Sequence, residues 1–299
     1  MRGVYTALIT PFNKNNEIDL PAYRRILKDQ VAAGISGVVP CGTTGEAPTL
    51  SDEEKDLLIL TAVEELKGSG VKVIAGTGSN DTAATVKRSK AAAMIGVDGV
   101  LVVTPYYNKP SQSGLAEHFL AVASAITCEV MLYNVPGRTS VSLTPATVAS
   151  LAEHPRITTI KEATGSPPFT SEIVESLQLL KRKMDVLSGD DATYLPLLSV
   201  GAVGVVSVAS NLFPRAMVAI HNQMEKGNLA EARRIHQQYF PLFKDLFVDS
   251  NPVPLKYAMA KQGWCENRLR LPLVPLSQAH QQTVDAAMAR CELTKGTSA

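Results

Sequence analysis

Concentrated charge of either sign, paired cysteines and clustered histidines are all missing from this sequence. Its 299 residues carry 29 basic and 28 acidic side chains, a formal net charge of +1. Such a balance lacks the basic footprint with which a nucleic-acid binder neutralises phosphates, so the expected partner is a small molecule. The four cysteines, Cys41, Cys128, Cys265 and Cys291, lie far apart and form no CxxC. In a chain of this length they read as reduced cytosolic thiols, not as a disulfide framework or a zinc site. The five histidines are scattered without HExxH spacing, and no structural metal is expected. Met1 to Tyr5 leads straight into a strand-like run, without the apolar core and small-residue cleavage site of a secretion signal. A cytoplasmic protein is expected.

One run of the chain lacks charge altogether. Residues 192–214 are long enough to suggest a membrane span. They also contain Pro196, Gly201, Gly204, three serines and Asn211, and break naturally at Gly201. A short buried helix followed by a strand buried on both faces is the better reading, with no membrane partner. Hydrophobic residues at 45% and charged residues at 19% place the chain among ordinary globular proteins and against disorder.

What the sequence does contain is a rhythm. Short runs rich in β-branched residues at 5–10, 37–40, 71–76, 99–104, 129–134, 157–161, 185–189 and 204–208 alternate with longer amphipathic stretches. Leu20, Tyr23, Leu27 and Val31 fall on one helical face. Ser51 and Glu54 have the spacing of a capping box, Asp19 and Asp81 are candidate N-caps, and Thr144-Pro145 pairs a cap with proline at the first helical position. Eight strand runs, each followed by a helical run, fit a closed parallel (β/α)8 TIM barrel better than an open sheet. Beyond the eighth strand, helical runs at 214–226, 229–247 and 252–261 exceed a minimal barrel. The expected division is a barrel over residues 1–225 and a small C-terminal helical extension over 226–299, with a polar tail that frays from Glu292.

Barrel active sites lie at the C-terminal ends of the strands. The polar residues and glycines of this chain gather there. Lys161 closes the sixth run after Ile157-Thr158-Thr159-Ile160 and would project to the barrel mouth partly desolvated. A desolvated lysine suits attack on a ketone, because the neutral amine is the nucleophile; the competing reading is an ion pair with Glu162 or another rim carboxylate. Tyr133 ends the preceding run, so its phenol could move protons during imine formation, with Thr43 and Tyr107 as hydrogen-bonding neighbours. An amphipathic residue at the core edge is the plainer reading of a lone tyrosine. Arg138 follows a Pro-Gly turn, where its fork suits a carboxylate or a surface ion pair. Gly42-Thr43-Thr44-Gly45 offers backbone donors and hydroxyls to a small carboxylate, and is not a P-loop. Gly76-Thr77-Gly78 lacks the third glycine of a dinucleotide fingerprint and reads as a turn. Asp190-Asp191 reads as a helix cap in preference to a divalent-metal site.

In combination these motifs resemble a known family. GTTGE at 42–46, TPYYNKP at 104–110, YNVPGRT at 133–139 and IKEATG at 160–165 resemble the pyruvate-dependent lysine (class I) aldolase, or N-acetylneuraminate lyase, family; LSGDD at 187–191 and NPVPLK at 251–256 extend the likeness over nearly the whole chain. The PGRT loop resembles the branch that condenses pyruvate with aspartate semialdehyde, and not the sialic-acid or sugar-acid lyases. The resemblance implies that Lys161 condenses with pyruvate and that Tyr133, Thr43 and Tyr107 relay protons, Tyr107 reaching in from a neighbouring subunit. It further implies that Thr44 and the backbone around Val206 hold the pyruvate moiety, that Gly189 lies against bound substrate, and that Arg138 takes the carboxylate of the aldehyde. No organic cofactor or metal is implied, since a protonated imine is itself the electron sink. A homotetramer built from two tight dimers is implied as well. The competing readings are a 2-keto-3-deoxy sugar acid or 4-hydroxy-2-oxoglutarate lyase, a keto-acid sensor without catalysis, and a metal-dependent aldolase, the last disfavoured by the scattered histidines.

One departure from the family pattern bears on regulation. Lysine-inhibited members carry effector ligands along the helix after GTTGE and just after GTGxN. Here Asn80 and Tyr106 fit, but Ala84 stands near where an acid would hold the effector's ammonium, and Lys55 adds repulsion. Lysine is therefore predicted to inhibit weakly or not at all. A steady-state titration giving half-inhibition well below millimolar lysine would contradict this.

Overall fold

Local capping sets where the helices of this chain begin. In the computed structural model, which describes residues 1–293, the Asp19 side chain accepts from the Ala22 N–H at 3.0 Å, and Gly34 closes the first helix at φ 74°. Ser51 and Glu54 form the reciprocal capping box. Asp81 accepts from the Ala84 N–H, and Thr144 accepts from the Thr147 N–H ahead of Pro145. Each cap satisfies a backbone donor that the first turn of a helix leaves without a partner.

Eight strands result: β1 Gly3–Ala7, β2 Gly37–Val39, β3 Lys72–Gly76, β4 Gly99–Val103, β5 Glu129–Asn134, β6 Ile157–Glu162, β7 Asp185–Ser188 and β8 Gly204–Ser207. They close into a barrel in chain order, and the pairing from β2 through β8 is parallel. The helices between them are α1 Leu20–Ala33, α2 Asp52–Glu65, α3 Thr82–Ile95, α4 Gln112–Ala125, α5 Pro136–Thr139, α6 Pro145–Leu151, α7 Pro167–Leu179 and α8 Tyr194–Leu198. After β8 come α9 Pro214–Glu225, α10 Leu229–Asp245, α11 Val253–Lys261 and α12 Gln278–Leu293. This is the (β/α)8 barrel with C-terminal helices that the alternating pattern predicts.

By its contacts the chain divides into two compact units. The first comprises Met1–Tyr5, Ser36–Val39 and Lys72–Val206; it holds nearly all of the strands together with α3 to α8. Its centre is apolar, with Val100, Val102, Val130, Met131, Leu132, Ile160 and Leu187 buried. The second comprises Thr6–Ile35, Pro40–Val71 and the chain from Ser207 onward. It contains α1, α2, α9 to α12 and the segments that follow β1 and β2.

The strands depart from expectation by one residue at most, except the first. β1 runs over Gly3–Ala7 in place of 5–10 because its ladder starts early, with the Gly3 N–H donating to Val203 O at 3.0 Å. It stops at Ala7 because the Asn211 side chain takes over, donating to Ala7 O and accepting from the Ile9 N–H. The uncharged run divides as expected into α8 and the wholly buried β8. Among the described residues no helix is long and apolar enough to cross a membrane. Helix α12 was not among the expected elements; its buried stripe, Val284, Ala287 and Cys291, is narrow and made of small residues. The tail expected to fray from Glu292 lies, from residue 294, outside the described residues.

At Gly204 the barrel closes without room for a side chain. A Cβ there would stand 2.1 Å from Gly3 O and 2.8 Å from a Leu187 methyl. Because the first of these neighbours is backbone, it cannot swing aside. Gly204→Ala is predicted to cost about 2–3 kcal/mol or more of stability, read as a lowered denaturation midpoint; an unchanged midpoint would mean that the β8 start can shift freely.

Candidate active site

Strands β5 and β6 carry the chemistry-bearing side chains of the first unit. Their register sets Tyr133 beside Lys161 and Asn134 beside Glu162. Because successive residues of a strand face opposite ways, Tyr133 and Lys161 share one face while Asn134 and Glu162 take the other. Lys161 Nζ lies 4.1 Å from the centroid of the Tyr133 ring. Both side chains are buried, at 6% and 7% exposure.

Glu162 does not play the rim partner that an ion-pair reading of Lys161 needs. Its Oε1 accepts from the Thr164 N–H at 2.7 Å, its Oε2 accepts from the Thr170 hydroxyl at 3.5 Å, and burial pushes its carboxyl above the usual range. Its backbone carbonyl accepts from the Gly189 N–H at 2.6 Å. A Cβ on Gly189 would meet the Ala163 Cβ at 2.6 Å, so only glycine lets the β7 end approach the Lys161–Ala163 backbone this closely. Asn134 Oδ1 accepts from the Leu143 N–H at 3.0 Å, and its Nδ2 donates to the Ser142 hydroxyl at 3.2 Å. The outward residues of both strands therefore brace the inward pair. Val206, in β8, is fully buried.

Arg138 sits in the single turn of α5, exposed, and forms no ion pair among the described residues. The turn is pinned where Thr104 Oγ1 donates to Thr139 Oγ1 at 3.2 Å. Tyr107 lies in the loop after β4. It is 88% exposed, on backbone at φ 74°. That conformation is uncommon for a bulky residue. Asp190 differs from the expected helix cap: it accepts from the Thr193 N–H and hydroxyl, in a turn ahead of α8.

Thr43 and Thr44 belong to the second unit, in the loop after β2. Within this loop the N–H groups of Gly45, Glu46 and Ala47 are spent on Gly42 and Thr43 carbonyls. The N–H groups of Thr43 and Thr44 make no such bonds among the described residues. Glu46, at φ 53°, is held by its own carboxylate. Oε1 lies 2.5 Å from Lys256 Nζ, with both side chains at 0% exposure, and Oε2 accepts from the Arg270 N–H at 3.0 Å. Lys256 also donates to Arg268 O at 2.8 Å. The Phe12 ring receives two cations, Lys256 Nζ at 4.1 Å and the Arg270 guanidinium at 4.4 Å. Arg270 in turn grips Glu54 bidentately and lowers its carboxyl pKa. Thr44 is 3% exposed, and its hydroxyl accepts from Asn251 Nδ2 at 2.9 Å. Sequence reasoning assigned no role to Glu46, Lys256, Asn251 or Arg270. The only signal was the presence of the first three inside GTTGE and NPVPLK.

The opposite end of the strands is different in kind. A cavity of about 710 Å³ opens there, lined by Arg2, Glu129, Arg182, Lys183 and Asp185 among others. The Met1 ammonium and Asp185 pair at 2.6 Å. Glu129 and Asp185 begin their strands, whereas Tyr133 and Lys161 lie near the far ends of theirs. Among the described residues no group of three or more His, Cys, Asp or Glu side chains could hold a metal.

Residues 1–291 match the model of the Dihydrodipicolinate synthetase family. A 4-hydroxy-tetrahydrodipicolinate synthase of Leptospira biflexa serovar Patoc is 48% identical over 277 residues, covering 93% of this chain and 92% of that protein. The solved 4-hydroxy-tetrahydrodipicolinate synthase of Methylacidiphilum fumariolicum SolV superposes with a TM-score of 0.95 at 47% identity, over 99% of this chain and 98% of the other. A structure of the Cyanidioschyzon merolae enzyme with lysine bound superposes at 0.93 with 38% identity, over 98% of both chains.

The buried Lys256–Glu46 pair yields a stability prediction. Lys256→Met alone strands a buried carboxylate and is predicted to cost roughly 3–5 kcal/mol, whereas Lys256→Met with Glu46→Gln costs less. Denaturant midpoints of the single and double variants check this; a double variant as unstable as the single would sink the pairing argument.

Proposed function

The chain belongs to the Dihydrodipicolinate synthetase family and is an enzyme with 4-hydroxy-tetrahydrodipicolinate synthase activity, and we propose that it acts through a Schiff base between pyruvate and Lys161. Its substrates are pyruvate and L-aspartate 4-semialdehyde, in lysine biosynthesis. The observation that supports Lys161 is its Nζ, buried over the Tyr133 ring at 4.1 Å with Glu162 turned away.

In this proposal the neutral Lys161 amine adds to the pyruvate ketone, giving a carbinolamine that loses water to become a protonated imine. The imine withdraws electrons from the adjacent methyl group, which gives up a proton to form the enamine. The enamine carbon attacks the aldehyde of the second substrate. Its amino group then displaces Lys161 in closing the ring, and the free lysine is regenerated. Tyr133 carries protons in and out of these steps.

The remaining assignments follow the family motifs. Thr43 and Tyr107 complete the relay with Tyr133, and Tyr107 does so from a neighbouring subunit, a reading supported by its 88% exposure in the single chain. Thr44 and the backbone at Val206 hold pyruvate, with Gly189 against it. Arg138, exposed and without an ion-pair partner among the described residues, takes the carboxylate of the semialdehyde. A homotetramer of two dimers and a cytoplasmic location complete the proposal. So does a division into a barrel over 1–225 and an extension over 226–299, supported by element order, since α9 is the first α-helix after the eighth strand.

Two variants test the reading. Lys161→Ala is expected to abolish turnover and the pyruvate adduct trapped by borohydride. Arg138→Ala is expected to keep the adduct and lose roughly ten- to a hundredfold in kcat/KM for the semialdehyde, the loss of one charge-assisted contact. Adduct formation in Lys161→Ala would overturn the nucleophile, and an unchanged semialdehyde response in Arg138→Ala would overturn the carboxylate site.

A further inference from the structure

We propose that Asn251 is a positioning residue that fixes the donor sense of the Thr44 hydroxyl, and through it the affinity for the pyruvate carboxylate. The inference rests on the reading of Thr44 as a pyruvate-holding residue. It adds a residue 207 positions away in sequence whose side chain, among the described residues, hydrogen-bonds only to Thr44.

Both partners are buried, Thr44 at 3% and Asn251 at 6% exposure, and Asn251 Nδ2 donates to Thr44 Oγ1 at 2.9 Å. A threonine hydroxyl has one proton to give and two lone pairs to receive with. The Asn251 amide occupies a lone pair and leaves the proton uncommitted, so the hydroxyl is set to donate. A carboxylate only accepts. The polarity therefore matches the ligand.

The sense of the amide follows from the other half of its side chain. Asn251 Oδ1 is buried and has no hydrogen-bond partner. Turning the amide over would place the NH2 group in that partnerless position and the oxygen against Thr44. A buried N–H without a partner is rarer and more costly than a buried carbonyl oxygen without one. The arrangement with Nδ2 on Thr44 is thus the more stable of the two.

The same chain segment fixes the loop twice. Asn251 immediately precedes the α11 region, and Lys256, five residues on, pairs with Glu46, two residues beyond Thr44. The ion pair holds the loop backbone, while the amide orients one hydroxyl on it. A defect in the first is a loss of stability; a defect in the second is a change in one substrate's affinity.

Asn251→Asp keeps the shape and reverses the polarity, since a carboxylate takes the Thr44 proton and turns a lone pair toward pyruvate. It is expected to raise the pyruvate KM by about ten- to a hundredfold, with kcat and the semialdehyde KM changing less than about threefold on the same scale. Thr44→Val should also raise the pyruvate KM, and adding Asn251→Asp to it should change that KM no further. Asn251→Ser, too short to reach Thr44, gives a second variant if the aspartate does not fold, and should raise the pyruvate KM in the same selective way. A raised KM in Thr44→Val with no change in a folded Asn251 variant overturns the proposal and leaves Thr44 in place. No change in Thr44→Val removes the Thr44 reading itself. A loss spread equally over both substrates and kcat assigns Asn251 a structural role only, which also overturns the proposal.

Discussion

The register between β5 and β6 governs what this barrel presents at the ends of its strands. With Tyr133 opposite Lys161, an amine and an aromatic ring meet on one face at 4.1 Å. A slip of one residue would exchange faces along the strand, sending Lys161 outward and Glu162 in. The outward residues resist such a slip. Asn134 is tied to Ser142 and Leu143, Glu162 to Thr164 and Thr170, and the Glu162 carbonyl to the Gly189 N–H. The outward neighbours make their hydrogen bonds away from the inward pair.

Buried charge recurs in the second unit with a different purpose. Glu46 and Lys256, both at 0% exposure, give up hydration that their mutual attraction only partly returns. Glu46 also adopts a left-handed backbone that a non-glycine residue takes at a cost of about 1–3 kcal/mol. Desolvation lowers the Lys256 pKa even against the pull of Glu46. Replacing a buried ion pair by well-packed apolar residues is often neutral or stabilising. What the ionic pair adds is direction: one carboxylate binds Lys256 with one oxygen and the Arg270 backbone with the other, which fixes the loop that carries Thr43 and Thr44.

Features set by local chemistry were legible in the sequence. The caps at Asp19, Ser51, Asp81 and Thr144 each act within three residues, and all four form as read. Strand ends were legible because strand bodies are apolar and their ends are not, and this brought Lys161 and Tyr133 forward. The start of β1 was not, because it is set by Val203, two hundred residues on. For the same reason Glu46, Lys256, Asn251 and Arg270 carried no legible role: their partners are distant in sequence, and a lone lysine or asparagine has no periodicity. α12 escaped notice because a stripe of Val284, Ala287 and Cys291 is too narrow to stand out among glutamines and alanines.

Division of labour between strands and loops follows from stiffness. A nucleophile must be held to within a fraction of an ångström, and strands paired on both sides supply that. β6 is such a strand, lying between β5 and β7. Groups that recognise charge need less precision but must meet the ligand from outside, and the proposed place of Arg138, on a single exposed turn, is of that kind. Thr44 is the intermediate case. It sits on a loop, yet it is buried, and its hydroxyl is held by one amide while its backbone is anchored two residues away by an ion pair. A loop acquires the precision of a strand only where distant side chains supply the hydrogen bonds that a neighbouring strand would have supplied, and the 251–256 segment is where this chain does so.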